Sequence, residues 1–227
     1  MDYSNGCFVG RVWDNQKGGP CLIKVKDGYV YDITTKEIPT VRDLLELDNI
    51  KGYLSNCSGE KLISIENLLS SSFKTASDIR LLAPCDLQVI KACGVTFAKS
   101  MVERVIEERA AGDPKKAENL RNHIGGLIGD SLQNITPGSD KASEVKKALI
   151  SEGLWSQYLE VGIGKDAEVF TKAATLSSVG FGEEVGLNPI SNWNNPEPEI
   201  VLAVNSIGII KGATLGNDVN LRDVEGR

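Results

Sequence analysis

The run Asn194-Asn195-Pro196-Glu197-Pro198-Glu199-Ile200-Val201-Leu202-Ala203-Val204 sets two carboxylates at the mouth of an apolar strand, and a second apolar stretch, Ile207 to Leu215, leads into Gly216-Asn217-Asp218. Side chains at i and i+2 of a strand share a face, so Glu197 and Glu199 converge while Pro198 points away. Proline has no N–H for a ladder, which confines this stretch to an edge or to the first residues of a strand. The Asn205-Ser206 turn and Gly208 let the second stretch return beside the first and bring Asp218 to the pair. Three carboxylates offering oxygen alone favour Mg²⁺, Mn²⁺ or Ca²⁺; a zinc site would recruit His or Cys. The chain has one histidine. The competing reading is a solvated strand end in a chain with 31 acidic residues. Against it, carboxylates crowded before an apolar run are awkward unless something positive neutralises them.

Other classes of function are narrowed by composition. At 227 residues the chain is long enough for a real core and for one to two domains. A net charge of −6 without a basic block argues against nucleic acid and for small-molecule partners. No apolar run approaches about 18 residues, and the N-terminus has neither a basic start nor an apolar core, so neither a membrane span nor a signal peptide is indicated and a cytoplasmic protein is expected. The five cysteines are odd in number and never spaced C-x-x-C, which reads as free thiols in a reducing compartment. The sole histidine, His123, reads as a packing or helix-end residue rather than a catalytic one.

Short strands are expected at residues 7–13, 20–25 and 29–33, the last two joined by an Asp27-Gly28 hairpin turn. Thr40 caps a helix over 41–47, and 63–69 forms a second. The polar stretch 70–78 reads as a linker, dividing a small N-terminal α+β domain (1–78) from the remainder (79–227). An apolar strand pattern at 87–97 gives way to the helical stripe Met101, Val102, Val105 and Ile106, closed at Gly112-Asp113-Pro114, with helices following at 115–128 and 141–151. Strand patterns return at 168–172, 189–193, 199–205 and 207–216. This order has no regular βαβ alternation and favours α+β with a mixed or antiparallel sheet. Gly180, Gly182 and Gly186 have the wrong spacing and flanks for a phosphate loop and read as a mobile loop.

Three ordered motifs, Phe170-Thr171-Lys172, Pro196-Glu197-Pro198-Glu199-Ile200 and Gly212 through Asp223 (G-x-x-x-x-N-D-x-x-x-R-D), resemble the catalytic domain of the fumarylacetoacetate hydrolase superfamily over roughly residues 88–227. The resemblance implies a mixed β-sandwich roll with a helical insert at about 98–160, and a Mg²⁺ or similar ion (Mn²⁺, Ca²⁺) held by Glu197, Glu199 and Asp218. Hydrolases and decarboxylases of this superfamily carry a histidine after a G-x-N-Y segment. Here Gly94-Val95-Thr96-Phe97 aligns with that segment and Ser100 stands at the histidine's place, with Glu103 at its partner's. Serine is no neutral-pH base without help, so hydrolysis loses weight. The segment G-V-T-F-x-x-S-x-x-E-R, the passage Ser156 to Gly164, and the N-terminal Val9-Gly10-Arg11-Val12-Trp13 and Pro39 to Leu45 are instead similar to the 2-keto-3-deoxy-pentonate dehydratases.

That branch implies loss of water from a 2-keto-3-deoxy sugar acid, xylonate or arabinonate, to 2,5-dioxopentanoate. A hard cation chelated by the keto acid supplies Lewis acidity. The resemblance places proton transfer at Glu168, which otherwise reads as an exposed strand start. Lys172 is a second catalytic candidate that otherwise reads as a solvated strand lysine. Thr96, Ser100 and Arg104 are candidates for lining the substrate pocket, Arg104 being suited to a carboxylate, and Glu103 reads equally as a surface charge. The resemblance also implies a homodimer or homotetramer, and further strands with an active-site lysine beyond Arg227, so that the chain is expected to be a fragment. The readings left beside this one are an acylpyruvate hydrolase or oxaloacetate decarboxylase of the same superfamily, and a non-catalytic metal- and keto-acid-binding module.

Overall fold

The computed structural model describes residues 6–74, 77–94, 98–129 and 135–224, which group into two compact units, Met1–Val89 with Ala173–Arg227, and Ile90–Lys172.

The first unit opens with a meander of β1 (Phe8–Asp14), β2 (Gly19–Lys26) and β3 (Tyr29–Asp32). Asp27 and Gly28 both have positive φ, 50° and 75°, the conformation that matches a two-residue turn to the twist of the flanking strands. With β4 (Glu60–Ser64) and β5 (Ile79–Leu82) these form a five-stranded sheet in the order β4-β3-β2-β1-β5, antiparallel at every pair. Four successive residues of β2, Cys21 to Lys24, are buried because both sheet faces are covered. Leu22 packs on one face with Val41, Leu44 and Leu54 from α1 (Val41–Leu45) and α2 (Ile50–Asn56). Cys21 and Ile23 pack on the other with Ile65 and Leu68 of α3 (Ile65–Ser71).

Local capping explains these helices. The Thr40 side chain accepts from the Asp43 N–H at the start of α1, as expected. The buried carboxylate of Asp86 adds two bonds there, accepting from Val41 N at 2.7 Å and Arg42 N at 3.1 Å. α2 is a helix that the sequence pattern does not announce. Asn49 caps it through the Gly52 N–H, but the helix is a short one with glycine inside and one buried residue, Leu54, so it has no apolar stripe. The second expected helix begins at Ile65, because residues 60–64 pair with β3 and Ser64 becomes its cap. The polar stretch expected as a linker runs into β5, which pairs with β1 and so belongs to the N-terminal sheet.

The second unit is mainly helical: α4 (Ala98–Ala110), α5 (Pro114–Ile128), α6 (Asp140–Ser151) and α7 (Gln157–Ile163). Val102, Val105 and Ile106, three members of the expected stripe, pack with Ile124, Val145, Leu149, Leu159 and Ile163. Asp113 caps α5 with Pro114 at its first position, which is why the chain breaks at 112–114. Two short strands, β6 (Ile90–Cys93) and β7 (Val169–Ala173), pair beside the helices. β6 covers only part of the strand expected at 87–97, of which residues 95–97 lie outside the described residues. His123 lies within α5 with Nε2 3.5 Å from Glu152 Oε2. No helix among the described residues is long and apolar enough to cross a membrane.

Candidate metal centre

In the first unit, β8 (Asn194–Val204) and β9 (Ile210–Leu221) form an antiparallel ribbon. The strand expected at 189–193 is instead the irregular segment leading into β8. The turn closes as Asn205 N donates to Ile209 O at 3.0 Å and Gly208, at φ 83°, donates to Asn205 O at 3.1 Å. That turn is tied to the end of α1, where Glu46 accepts from Ser206 N at 2.9 Å and Ser206 Oγ at 2.8 Å. These bonds favour the charged Glu46, so its carboxyl lies below the usual glutamate range.

Register decides the site. Glu197 stands opposite Asp218 and Glu199 opposite Gly216, with Pro198 on the alternate face opposite Asn217. A carboxylate oxygen from each of Glu197, Glu199 and Asp218 lies within 4.8 Å of the others, the one such group of three among the described residues. Gly216 keeps this face low: a Cβ there would stand 2.7 Å from Val201 Cγ2. Arg222 Nη2 donates to Glu197 Oε1 at 2.9 Å and Asn195 Nδ2 approaches the same oxygen at 3.4 Å. Asp223 accepts from the Ser191 hydroxyl and, at 2.8 Å, from Asn192 N, which folds the segment before β8 against the end of β9. The Asn220 side chain, on the face of the ribbon that carries the carboxylates, is 6% exposed and its amide has no hydrogen-bond partner among the described residues. Arg222, Asp223 and Asn195 were not singled out from the sequence. The Arg-Asp pair ending the third motif was the available signal.

The donor set fits a hard divalent cation: three carboxylates, half-buried or exposed, converge without nitrogen or sulfur, and an orphaned amide shares their face. No described side chain of this cluster favours zinc.

The remaining candidates lie in the second unit. Glu168 is exposed and immediately precedes β7, and its carbonyl accepts from Gly94 N at 2.9 Å. Gly94 is needed there, since a Cβ would run into Val161 Cγ1 and stand 2.9 Å from Glu168 Oε2. Lys172 is on β7 with its Nζ 6.0 Å from the centre of the Phe170 ring. Arg104 is half-buried on α4. Ser100 falls in the first turns of α4, its side chain outside the described set, and Thr96 lies outside the described residues. Glu103 pairs with Arg121 Nε at 3.0 Å across α4 and α5, the surface-charge reading of that residue. The glycine-rich segment 180–186, in the first unit, runs against β5 and the residues that follow α3, where Arg80 Nε donates to Glu183 Oε1 at 3.0 Å. A Cβ at Gly180 would run into the Leu81 carbonyl, and Gly182, at φ 86°, would meet Ser72 O at 2.6 Å. Those glycines serve close backbone approach, not a phosphate.

No family model matches this chain. It is 41% identical over 58 residues, 26% of the chain and 20% of the relative, to a 2-dehydro-3-deoxy-D-arabinonate dehydratase of Saccharolobus solfataricus. It is 39% identical over 69 residues, 30% of the chain and 24% of the relative, to a probable 2-keto-3-deoxyxylonate dehydratase of Haloferax volcanii. The matched stretch is thus about a quarter or less of these relatives' length. Among solved structures, a 2-keto-3-deoxy-D-arabinonate dehydratase complexed with magnesium and 2,5-dioxopentanoate matches with a TM-score of 0.55 at 21% identity, and its apo form with 0.56 at 21%. The chain therefore shares, over 96% of its own length, the fold of 57% of a 2-keto-3-deoxy-D-arabinonate dehydratase.

Proposed function

We propose that this chain carries the metal-binding part of a hydro-lyase that removes water from a 2-keto-3-deoxy sugar acid, xylonate or arabinonate, to give 2,5-dioxopentanoate. The single observation that carries the reading is the convergence of Glu197, Glu199 and Asp218 within 4.8 Å on one face of the β8–β9 ribbon. It gains its chemical direction from the relatives, two named as dehydratases of this substrate class and one solved with magnesium and that product. The β-sandwich roll of the fumarylacetoacetate hydrolase superfamily is the finer fold this reading carries, and a homodimer or homotetramer is the assembly.

In this reading Glu197, Glu199 and Asp218 hold the cation, with Mg²⁺ preferred and Mn²⁺ or Ca²⁺ as alternatives. When bound, it supplies Lewis acidity to the keto acid's oxygens and so makes the C3 proton easier to remove. Arg222 and Asn195 hold Glu197 in its ligating orientation, the role outer partners play around a metal. Glu168 carries protons at C3 and the departing C4 hydroxyl, Lys172 and Arg104 take the substrate carboxylate, and Thr96 and Ser100 line the pocket. These roles rest on sequence likeness.

The test uses the full-length protein with 2-keto-3-deoxy-xylonate and 2-keto-3-deoxy-arabinonate. Mg²⁺-dependent formation of 2,5-dioxopentanoate, abolished by Glu199→Gln and by chelator, supports the proposal. Turnover of acylpyruvates or oxaloacetate with none of either sugar acid would sink it.

A further inference from the structure

Lys24 is 7% exposed, yet it forms no salt bridge among the described residues. Its Nζ ends instead at the C-terminus of α2, donating to Leu54 O at 2.8 Å and Cys57 O at 2.6 Å, with Cys57 Sγ at 3.3 Å as its third acceptor. Both partners are held. Lys24 sits in the buried run of β2, on the Leu22 face, and Cys57 is the cap of α2 with its N–H on Tyr53 O at 2.8 Å. A nitrogen and a sulfur at 3.3 Å stand at the separation of about 3–3.5 Å from which bonds form. Cys57 is half-buried, so a small oxidant reaches it, whereas Cys21 is buried and its thiol is pushed up to about 12 by burial and then by Asp32.

We propose that Lys24 and Cys57 form an oxidative modification site, at which a hydroperoxide closes a sulfenamide bond between Nζ and Sγ. In the first step sulfur attacks the peroxide, the O–O bond breaks, and thiol plus hydrogen peroxide becomes sulfenic acid plus water. Sulfur loses two electrons and the peroxide gains them. In the second step the amine lone pair attacks the sulfenic sulfur. The N–S bond forms, the S–O bond breaks, and the hydroxyl leaves with an amine hydrogen as a second water; any extra proton on the starting ammonium goes to bulk solvent. The product staples β2 to the end of α2. A thiol reductant reopens it.

The experiment treats the full chain with hydrogen peroxide and maps peptides by mass spectrometry. The expected result is a cross-linked pair of peptides joined at Lys24 and Cys57, lighter by two hydrogens than the separate thiol and amine peptides together, and restored by dithiothreitol. Cys57→Ser abolishes it. Lys24→Arg keeps a cation among the carbonyls but removes the amine, so dimedone trapping of the Cys57 sulfenic acid rises several-fold over the parent. Unlinked peptides with Cys57 carried on to sulfinic acid, a link that retains an oxygen atom, or equal dimedone trapping in parent and Lys24→Arg each overturns the proposal. The mapping on the parent protein needs no variant to fold.

Discussion

Glu197 and Asp218 face each other directly across the β8–β9 ladder, with Glu199 two pairs further along opposite a glycine. Like charges directly opposed across a sheet are destabilising, so this end of the ribbon gains from a positive charge. Arg222 supplies part of it at 2.9 Å from Glu197.

Mg²⁺ is accordingly expected to stabilise the protein by mass action, by roughly 2.7 kcal/mol at a hundredfold excess over its dissociation constant. Thermal unfolding with and without Mg²⁺ reads this as a rise in midpoint. The rise should be absent in Asp218→Asn, and an equal rise in that variant would mean that the ion binds elsewhere.

Gly94→Ala should displace Glu168, because the added Cβ would stand 2.9 Å from its Oε2 and run into Val161. Overpacking of this kind costs about 1–3 kcal/mol. A urea titration should show the loss of stability, and under the proposed function turnover of the 2-keto-3-deoxy sugar acid should fall more than its apparent affinity. An unchanged rate would remove Glu168 from proton transfer.

Asp86→Ala is predicted to be among the more damaging changes in the N-terminal sheet. The carboxylate is 3% exposed, takes two N–H groups at the start of α1, and lies 3.6 Å from Arg11 Nε. Removing one partner of a buried ion pair costs on the order of 3 kcal/mol. Asp86→Asn, which keeps an acceptor for the helix start, should lose less. Urea midpoints for the two variants give the comparison, and equal midpoints would mean that the charge near Arg11 dominates over the cap.

Stability should also fall in alkali through Cys21. Burial, and next the charge of Asp32, raise its thiol from 9.0 to about 12 in the folded chain. Between those values the unfolded thiol has lost its proton while the folded one keeps it, so the unfolded state gains as pH rises through this window. The stabilising contribution is complete below pH 9.0 and is lost as pH climbs toward about 12. The limiting slope is about 1.4 kcal/mol per pH unit for one proton. Cys21→Val should flatten the dependence relative to the parent, as read from unfolding midpoints at pH 8 to 11 in about half-unit steps; parallel profiles would refute it.

Much of this structure was legible in local signals. Thr40, the Asp27-Gly28 turn and Asp113-Pro114 each act within a few residues, so reading them needs no partner from elsewhere. The stripe Val102, Val105 and Ile106 was legible because helical periodicity is itself a statement about one buried face. Where strand or helix was misplaced, a distant contact had decided. Residues 60–64 became strand by pairing with β3, and the polar stretch after α3 led into β5 because β1 offered it an edge.

The same division runs through the candidate site. The sequence by itself determined the ligand chemistry, since alternation at Glu197-Pro198-Glu199 puts two carboxylates on one face wherever that strand lies. Only the tertiary structure decided that Asp218 pairs with Glu197, that Arg222 reaches back to the same carboxylate, and that Lys24 ends on Cys57. Side-chain direction along a strand follows from covalent geometry, whereas register and long side-chain contacts depend on which segments pack together, a choice made by the whole buried surface and not by any one segment.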